Sequence, residues 1–398
     1  MKKIMILGAG NTVTPLIKRS SQLGYETIVI SPWGDYPGFR YASQGVFCDF
    51  LDVNMILRHA RMLKIDAISS TGTDIAVPVI GKIVDSLRLP GCGTKVAELC
   101  SDKWHMKCAL LNAGVMTAKG KLVDNTEDLP LVAQELGYPL MCKSVDCSGS
   151  EGIFRVDGPE SLSSTWEQSR YISASGRVLI EEFLNGVEFG AQAIVQGTEV
   201  IAVYFHDDQI KTSLTPLPIG HSMPCEIDSL ILKKARDEVK RAIMALGVRD
   251  TIANIDLMLV DNIPYIIEVG ARMGATCLPE TISLYGNFDA YEANLTLALG
   301  GLVNLKKEGS GIANASRLIF STMPGTVTSI DIPEDVSNHP QLYRLKIYCK
   351  PGDKVRSFHV GKDRIGDIIV TGDTADEARK LAETLCNKIR INVKTDLI

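Results

Sequence analysis

Two short apolar runs, ANIDLMLV and IPYIIEVG, face each other across Asp261-Asn262. Each is too short for a long helix, is rich in branched side chains, and is bounded by turn-forming residues, so the pair reads as an antiparallel hairpin. Each strand carries one carboxylate, Asp256 and Glu268. With a three-residue turn of Asp261, Asn262 and Ile263, Val260 pairs with Pro264 and Asp256 lies opposite Glu268, their Cβ atoms ~5 Å apart. A two-residue turn puts the two acids on opposite faces. On a shared face they repel by ~4 kcal/mol at ~4 Å and an effective dielectric near 20. Such a pair asks for a cation or a shared proton. Oxygen-only donors suit Mg²⁺, which, held by one or two carboxylates, commonly accompanies nucleotide phosphates. The plain alternative is one acid exposed at a strand end.

The rest of the chain is long enough, at 398 residues, for two or three domains around real cores, with 45% hydrophobic residues. A net charge of −5 and the lack of any Lys/Arg block give no case for nucleic acid. No apolar run approaches the ~20 residues of a membrane span, and MKKIMILGAG runs straight into a strand and turn rather than a cleavage site. Ten scattered cysteines without a CxxC pair read as reduced thiols. These features predict a cytoplasmic protein with no membrane or nucleic-acid partner; a homodimer is among the expected assemblies.

The first ninety or so residues alternate strand and helix signals (KKIMILGAG, TPLIKRSSQLG, YETIVIS, NMILRHARMLKI, DAISSTG), which predicts a parallel sheet with right-handed crossovers. From about residue 101 the pattern becomes mixed, with helices at SDKWHMKCALLNAGV and EDLPLVAQELGY. Strands follow at YPLMCKSVD, GIFRVD, RVLIEEFL, VEFGAQAIVQG and TEVIAVYFHD, and an amphipathic helix at LILKKARDEVKRAIMALG. IKTSLTPLPIGHSMPCEID is too proline-rich for a regular element. The last eighty or so residues return to strands and one helix, TADEARKLAETLCNKI.

Several motifs carry little. ILGAGNTV has Val13 in place of a third glycine, and its second strand ends on Ser31 where a ribose-binding acid is needed, which argues against a dinucleotide site. GCGTK lacks the spacing of a phosphate loop, and no GxSxG or HExxH occurs. More telling is an ordered set. Lys103 opens a helix, and Lys143 ends a strand before SVDCSGSEG, a loop whose backbone N–H groups can fold over phosphates. RVLIEEFLNGVE then offers backbone groups for an adenine edge and a carboxylate for ribose hydroxyls.

That order resembles the ATP-grasp superfamily, which includes biotin carboxylase, carbamoyl phosphate synthetase and L-amino-acid ligases, over nearly the whole chain. The resemblance implies α/β and α+β architecture: a Rossmann-like preATP-grasp domain at 1–100, a two-part ATP-grasp core at 101–310 with a lid near 115–185, and a small β-rich domain at 311–398 similar to the biotin carboxylase tail. It implies that Lys103 and Lys143 reach nucleotide phosphates and that Ser148, Gly149 and Ser150 sit in a mobile covering loop. Glu181, Glu182, Phe183 and Leu184 then form the adenine hinge, with Glu188 on ribose. Asp256 and Glu268 hold Mg²⁺ (or Mn²⁺), and Arg272 steadies an acyl phosphate. One departure is Gly270, where many members have a metal-binding Asn.

The reaction so implied is ATP-dependent activation of a small-molecule carboxylate as an acyl phosphate, followed by displacement of phosphate by an amine. His221, in GHSMP, is the candidate substrate contact or base. Two alternatives stay open at this point: a carboxylase forming carboxyphosphate from bicarbonate, and a nucleotide-binding protein without catalysis.

Overall fold

The computed structural model describes residues 1–211, 217–305 and 311–395. Strands β1 (Lys3–Leu7), β2 (Glu26–Ser31), β3 (Gln44–Phe47) and β4 (Ala67–Ser69) form a parallel sheet in the order β3-β2-β1-β4. β1 and β2 are nearly continuous apolar runs because both of their faces are covered. Helices α1 (Thr14–Gln22), α2 (Val53–Leu63) and α3 (Val77–Leu87) come from the same stretch, and Ile56, Ala60 and Ile83 of α2 and α3 complete one core. β3 is a strand that the sequence pattern did not reveal: its side chains are mostly exposed, so it lacks an apolar signature.

Next come α4 (Thr94–Leu99), α5 (Lys103–Asn112), β5 (Gly120–Val123), α6 (Leu129–Leu136), β6 (Leu140–Ser144), β7 (Ile153–Val156), α7 (Pro159–Ile172) and β8 (Val178–Glu182). The four strands make an antiparallel sheet in the order β5-β8-β6-β7. Trp166 of α7 is buried against it among Leu140, Cys142 and Ile180, and its indole N–H donates to the Val123 carbonyl at 3.2 Å.

The remaining elements are β9 (Val187–Gln196), β10 (Glu199–Lys211), β11 (Leu217–Met223), α8 (Ser229–Leu246), β12 (Thr251–Val260), β13 (Ile263–Gly270), α9 (Leu278–Gly286) and α10 (Ala290–Ala298). They are followed by β14 (Ala313–Ile319), β15 (Gly325–Asp331), α11 (Glu334–Ser337), β16 (Leu342–Ile347), β17 (Lys354–Val355), β18 (Gly366–Gly372), α12 (Ala375–Lys388) and β19 (Arg390–Lys394). Contacts group the chain into two units. The first holds Met1–Tyr204, Ile227–Ala275 and Asp289–Asn304, and within it β12 lies between β9 and β13. The second holds Phe205–Glu226, Thr276–Phe288 and Leu305–Ile398; there the end of β10 pairs β11, followed in order by β14, β18 and β16. α12 closes its core through Ala378, Ala382 and Leu385.

Two expectations need correction. The proline-rich stretch was expected to be irregular, yet Leu217–Met223 is a strand with His221 inside it; residues 212–216 lie outside the described residues. β11 has strand neighbours on both sides, and the cross-strand hydrogen bonds outweigh the local bias of the prolines. The hairpin turn is also different. Val260 pairs with Ile263, not Pro264, through a two-residue turn in which Asp261 and Asn262 both have positive φ (48° and 63°). That turn alone would separate the two acids. A bulge at Ile267, between the Leu257–Ile266 and Asp256–Glu268 pairs, shifts the register by one residue and returns Glu268 to the face of Asp256. The expected 101–310 boundary ends inside 306–310, also outside the described residues.

Candidate active site

The bulged hairpin decides what one face of the β9–β12–β13 group carries. Residues paired across antiparallel strands share a face. Glu188, Gly190 and Gln192 of β9 pair Met258, Asp256 and Asn254 of β12, which meet Glu268 and Gly270 of β13. The opposite face of β12, with Ala253, Ile255 and Leu257, is fully buried. The result is a polar face with three carboxylates and two amides on a rigid sheet. Gly190 of β9 stands directly beside Asp256.

The amides orient the acids. Gln192 takes the Gly274 N–H at its side-chain oxygen (2.9 Å) and donates to Asn254 Oδ1 (2.6 Å), and Asn254 donates to Asp256 Oδ1 (2.9 Å). Asn254 lies directly opposite Gly270. A Cβ at Gly270 would stand 3.5 Å from the Arg272 guanidinium carbon and 3.7 Å from Asp74 Oδ1. A longer side chain there would press on that pair, and the amide of this site comes from the neighbouring strand instead.

The cations arrive from elsewhere in the same unit. Asp102 caps α5 by accepting the His105 N–H (2.8 Å) and is pinned by Arg177 (2.7 Å), which fixes Lys103 as the first helical residue. Lys103 Nζ donates to the Cys147 carbonyl (2.5 Å) and stands 3.4 Å from Glu268 Oε1. Lys143, at the end of β6, pairs with Glu181 Oε2 at 2.5 Å, and Lys107, one turn after Lys103, pairs with Glu181 Oε1 at 2.7 Å. Lys107 also donates to Thr117 Oγ1 and the Ala118 carbonyl. Burial opposes ionisation of Glu181, but the two ammoniums override it and hold its carboxyl at about 2. Burial likewise opposes the Lys143 charge, and Glu181 more than restores it, whereas burial lowers Lys107 despite the same partner. Lys103, Lys107, Lys143, Glu181 and Glu268 line one pocket, floored by Leu179 and Met106.

Arg272 follows β13. Its Nη2 holds Asp74 at 2.6 Å, while Nε and Nη1 are buried without a partner among the described residues. Burial works against both charges of this pair; each partner keeps the other ionised, and Asp256 and Glu268 add to the field on Arg272. Two unfilled guanidinium donors beside a carboxylate cluster suit an anionic ligand.

The loop between β6 and β7 carries Ser148, Gly149 and Ser150, with Gly149 and Ser150 in the left-handed region (φ 66° and 65°). Glu182 accepts the Lys119 N–H (2.8 Å), Phe183 lies under the Arg155 guanidinium (4.3 Å) and donates its N–H to the Pro139 carbonyl (3.1 Å), and Leu184 follows in the connection to β9. The structure therefore gathers Lys103, Lys143, Glu181 and Glu268 around one pocket, with Asp256 paired to Glu268. His221 belongs to the second unit, in β11. Lys107, Asn254 and Asp74 were not foreseen. The four-residue spacing of Lys103 and Lys107 on one helix was a readable signal for the first; Asp74 meets Arg272 from 198 positions away and left none.

The donor set fits a hard cation: two carboxylates on one face, buttressed by amides. Asp256 and Glu268 are the residues that would hold Mg²⁺ or Mn²⁺.

The chain is similar to known proteins. Residues 100–276 match the ATP-grasp domain, and residues 317–394 match the L-amino acid ligase C-terminal domain 2. The chain is 26% identical over 323 residues to an uncharacterized protein, y4rH, of Sinorhizobium fredii, covering 78% of this chain and 65% of that one. It is 26% identical over 259 residues to an alanine–anticapsin ligase of Bacillus subtilis, covering 59% of this chain and 54% of that enzyme. The fold superimposes on a phosphoribosylglycinamide synthetase from Anaerococcus prevotii with a TM-score of 0.82 and 28% identity, covering 99% of this chain and all of that one. No helix among the described residues is long and apolar enough to cross a membrane. From the shared polar face to the matched core, the chain carries an ATP-grasp domain at residues 100–276 and is an enzyme of the ligase type.

Proposed function

We propose that this enzyme activates the carboxylate of a small molecule as an acyl phosphate at the expense of ATP and joins it to an amine, releasing ADP and phosphate. In this reading residues 1–100, 101–310 and 311–398 act as the preATP-grasp domain, the ATP-grasp core and a small C-terminal β-rich domain. The observation that carries it is the meeting of Lys103 and Lys143 with Glu268 in one pocket, with Asp256 opposite Glu268. Two ammoniums and two metal-binding carboxylates are what a triphosphate needs. Bound Mg²⁺ would supply charge neutralisation on the phosphate oxygens.

The chain's own residues do the rest. Lys103 exchanges its contact with Glu268 for phosphate, and Lys143 stays ionised because Glu181 faces it. The backbone of Glu182 to Leu184 borders adenine, and Glu188 takes the ribose hydroxyls. Arg272 offers Nε and Nη1 to the carboxylate and then to the charge that develops on it. The Ser148–Gly149–Ser150 loop closes over the phosphates and keeps water from the acyl phosphate. His221 acts on the amine. The match of residues 317–394 to an L-amino acid ligase domain and the similarity to an alanine–anticapsin ligase support an amino acid as one substrate. The test is ADP release from ATP across pools of L-amino acids, with mass analysis of the products. Amide-bonded product is expected; release that depends only on bicarbonate, or none with any pair, would overturn the proposal.

A further inference from the structure

The second unit gathers two imidazoles and a carboxylate inside its sheet. His206 and Asp208 lie two residues apart on β10 and so point to one face, and His221 of β11 is the cross-strand partner of Asp208. All three belong to the second unit. Asp208 Oδ1 lies 2.9 Å from His206 Nδ1 and 2.5 Å from His221 Nδ1, and the two rings stand edge to face with centroids 5.1 Å apart. Both histidines are 2% exposed, and the Asp208 side chain is 7% exposed. One candidate ligand atom from each residue lies within 4.8 Å of the others.

The donor types choose the ion. Imidazole suits zinc and its first-row neighbours, whereas Mg²⁺ takes oxygen donors, so this trio differs in kind from the pair Asp256 and Glu268. Around an ion bound at ~2.1 Å the ligand atoms stand ~3.0–3.4 Å apart, so each printed contact need open by less than ~1 Å to admit one. The outer contacts fit as well. A histidine that binds a metal through Nδ1 carries its proton on Nε2 and calls for an acceptor there. For His221 that acceptor is Thr276 Oγ1, 2.7 Å from Nε2 and also in the second unit. The His221 backbone N–H donates to Ser316 Oγ (3.2 Å) of β14, which fixes the strand behind the ring. His206 Nε2 is buried without a partner among the described residues, so this ring is held through Nδ1, toward the same carboxylate oxygen. No tautomer or charge of the metal-free chain enters, because a metal ion displaces whatever proton its ligand atoms carry.

We infer that His206, Asp208 and His221 form a binding site for a divalent cation of the zinc class, with three protein ligands and a fourth position taken by water. The inference goes beyond the ligase reading and does not rest on it. A cation there ties β10 to β11 and favours the folded chain, since the ligands come together only when the strands pair.

The test titrates the full chain, freed of metal by chelation and kept in millimolar Mg²⁺, with Co²⁺, which takes the donor set of Zn²⁺ and absorbs visible light. One equivalent is expected to bind in spite of the Mg²⁺. Its affinity is expected to fall at least ~10²-fold in His206→Asn and in Asp208→Asn and to stay unchanged in His105→Asn, an exposed histidine outside the trio. No binding by the wild type, displacement of Co²⁺ by the Mg²⁺, or wild-type affinity in His206→Asn and Asp208→Asn would overturn the site. Nitrogen NMR of histidine-labelled wild-type protein needs no variant to fold. One equivalent of Zn²⁺ is expected to move the Nδ1 signals of both His206 and His221 to metal-bound positions, and signals that stay in place at saturation overturn the proposal.

Discussion

Replacing Glu181 by Gln removes the one carboxylate shared by two buried lysines. The side chains of Glu181, Lys107 and Lys143 are 4%, 3% and 11% exposed, so water screens this triad little. Glu181 is held at about 2 against an ordinary 4.5, which at about 1.36 kcal/mol per pH unit corresponds to ~3 kcal/mol of folded-state preference for the ionised form. Breaking a buried ion pair from one side costs a similar 3–5 kcal/mol, roughly. Lys107 keeps Thr117 and Ala118 as partners, which places the expected loss near the lower figure. Trp166, one of three tryptophans, lies in the core beside this strand, so urea unfolding followed by tryptophan fluorescence measures the loss. The pH dependence has a definite sign. Because the folded-state value is depressed, the stabilisation is complete above about 4.5 and is lost as pH falls toward about 2. The gap between wild type and Glu181→Gln is therefore expected to be ~3 kcal/mol at pH 7 and to narrow by about 1.4 kcal/mol per pH unit below 4.5. A gap under ~1 kcal/mol at pH 7, or one that does not change with acid, would refute the assignment of Glu181 as the shared counter-charge.

Glu268→Gln is expected to abolish ADP release with the fold intact by circular dichroism, since it keeps the shape and removes charge from the metal site; turnover near wild type would remove Glu268 from that site. Lys143→Ala is expected to weaken nucleotide binding by one to two decades in calorimetry, from a charge-assisted contact of roughly 1.5–3 kcal/mol. Unchanged affinity would mean that Lys143 serves Glu181 alone. Arg272→Met is expected to lower kcat by ~10²–10³ in the ADP-release assay, as loss of a donor aimed at developing charge does elsewhere. An unaltered kcat would leave Arg272 as a partner of Asp74 only.

The amino-acid sequence by itself determined three strands, β1, β2 and β4, of the parallel sheet of the first hundred residues, because apolar strands alternating with helices have few other ways to bury themselves. It also determined that two acids, two lysines and an arginine occur in a telling order, since their types and spacing are local facts. It did not determine the hairpin register. Asp261-Asn262 points to a two-residue turn, which would part the acids, and only the bulge at Ile267 reunites them. A bulge is a compromise between strands that no short window of sequence displays. The stretch around His221 misled for a similar reason: its prolines speak locally for a loop, while flanking strands far apart in sequence draw it into a sheet. Partners that arrive over long separations stayed invisible until the chain was folded. Asp74 against Arg272, Glu181 between Lys107 and Lys143, and Thr276 against His221 are all of this kind. Their chemistry depends on burial and mutual charge, which exist only once tertiary structure has removed the water between them.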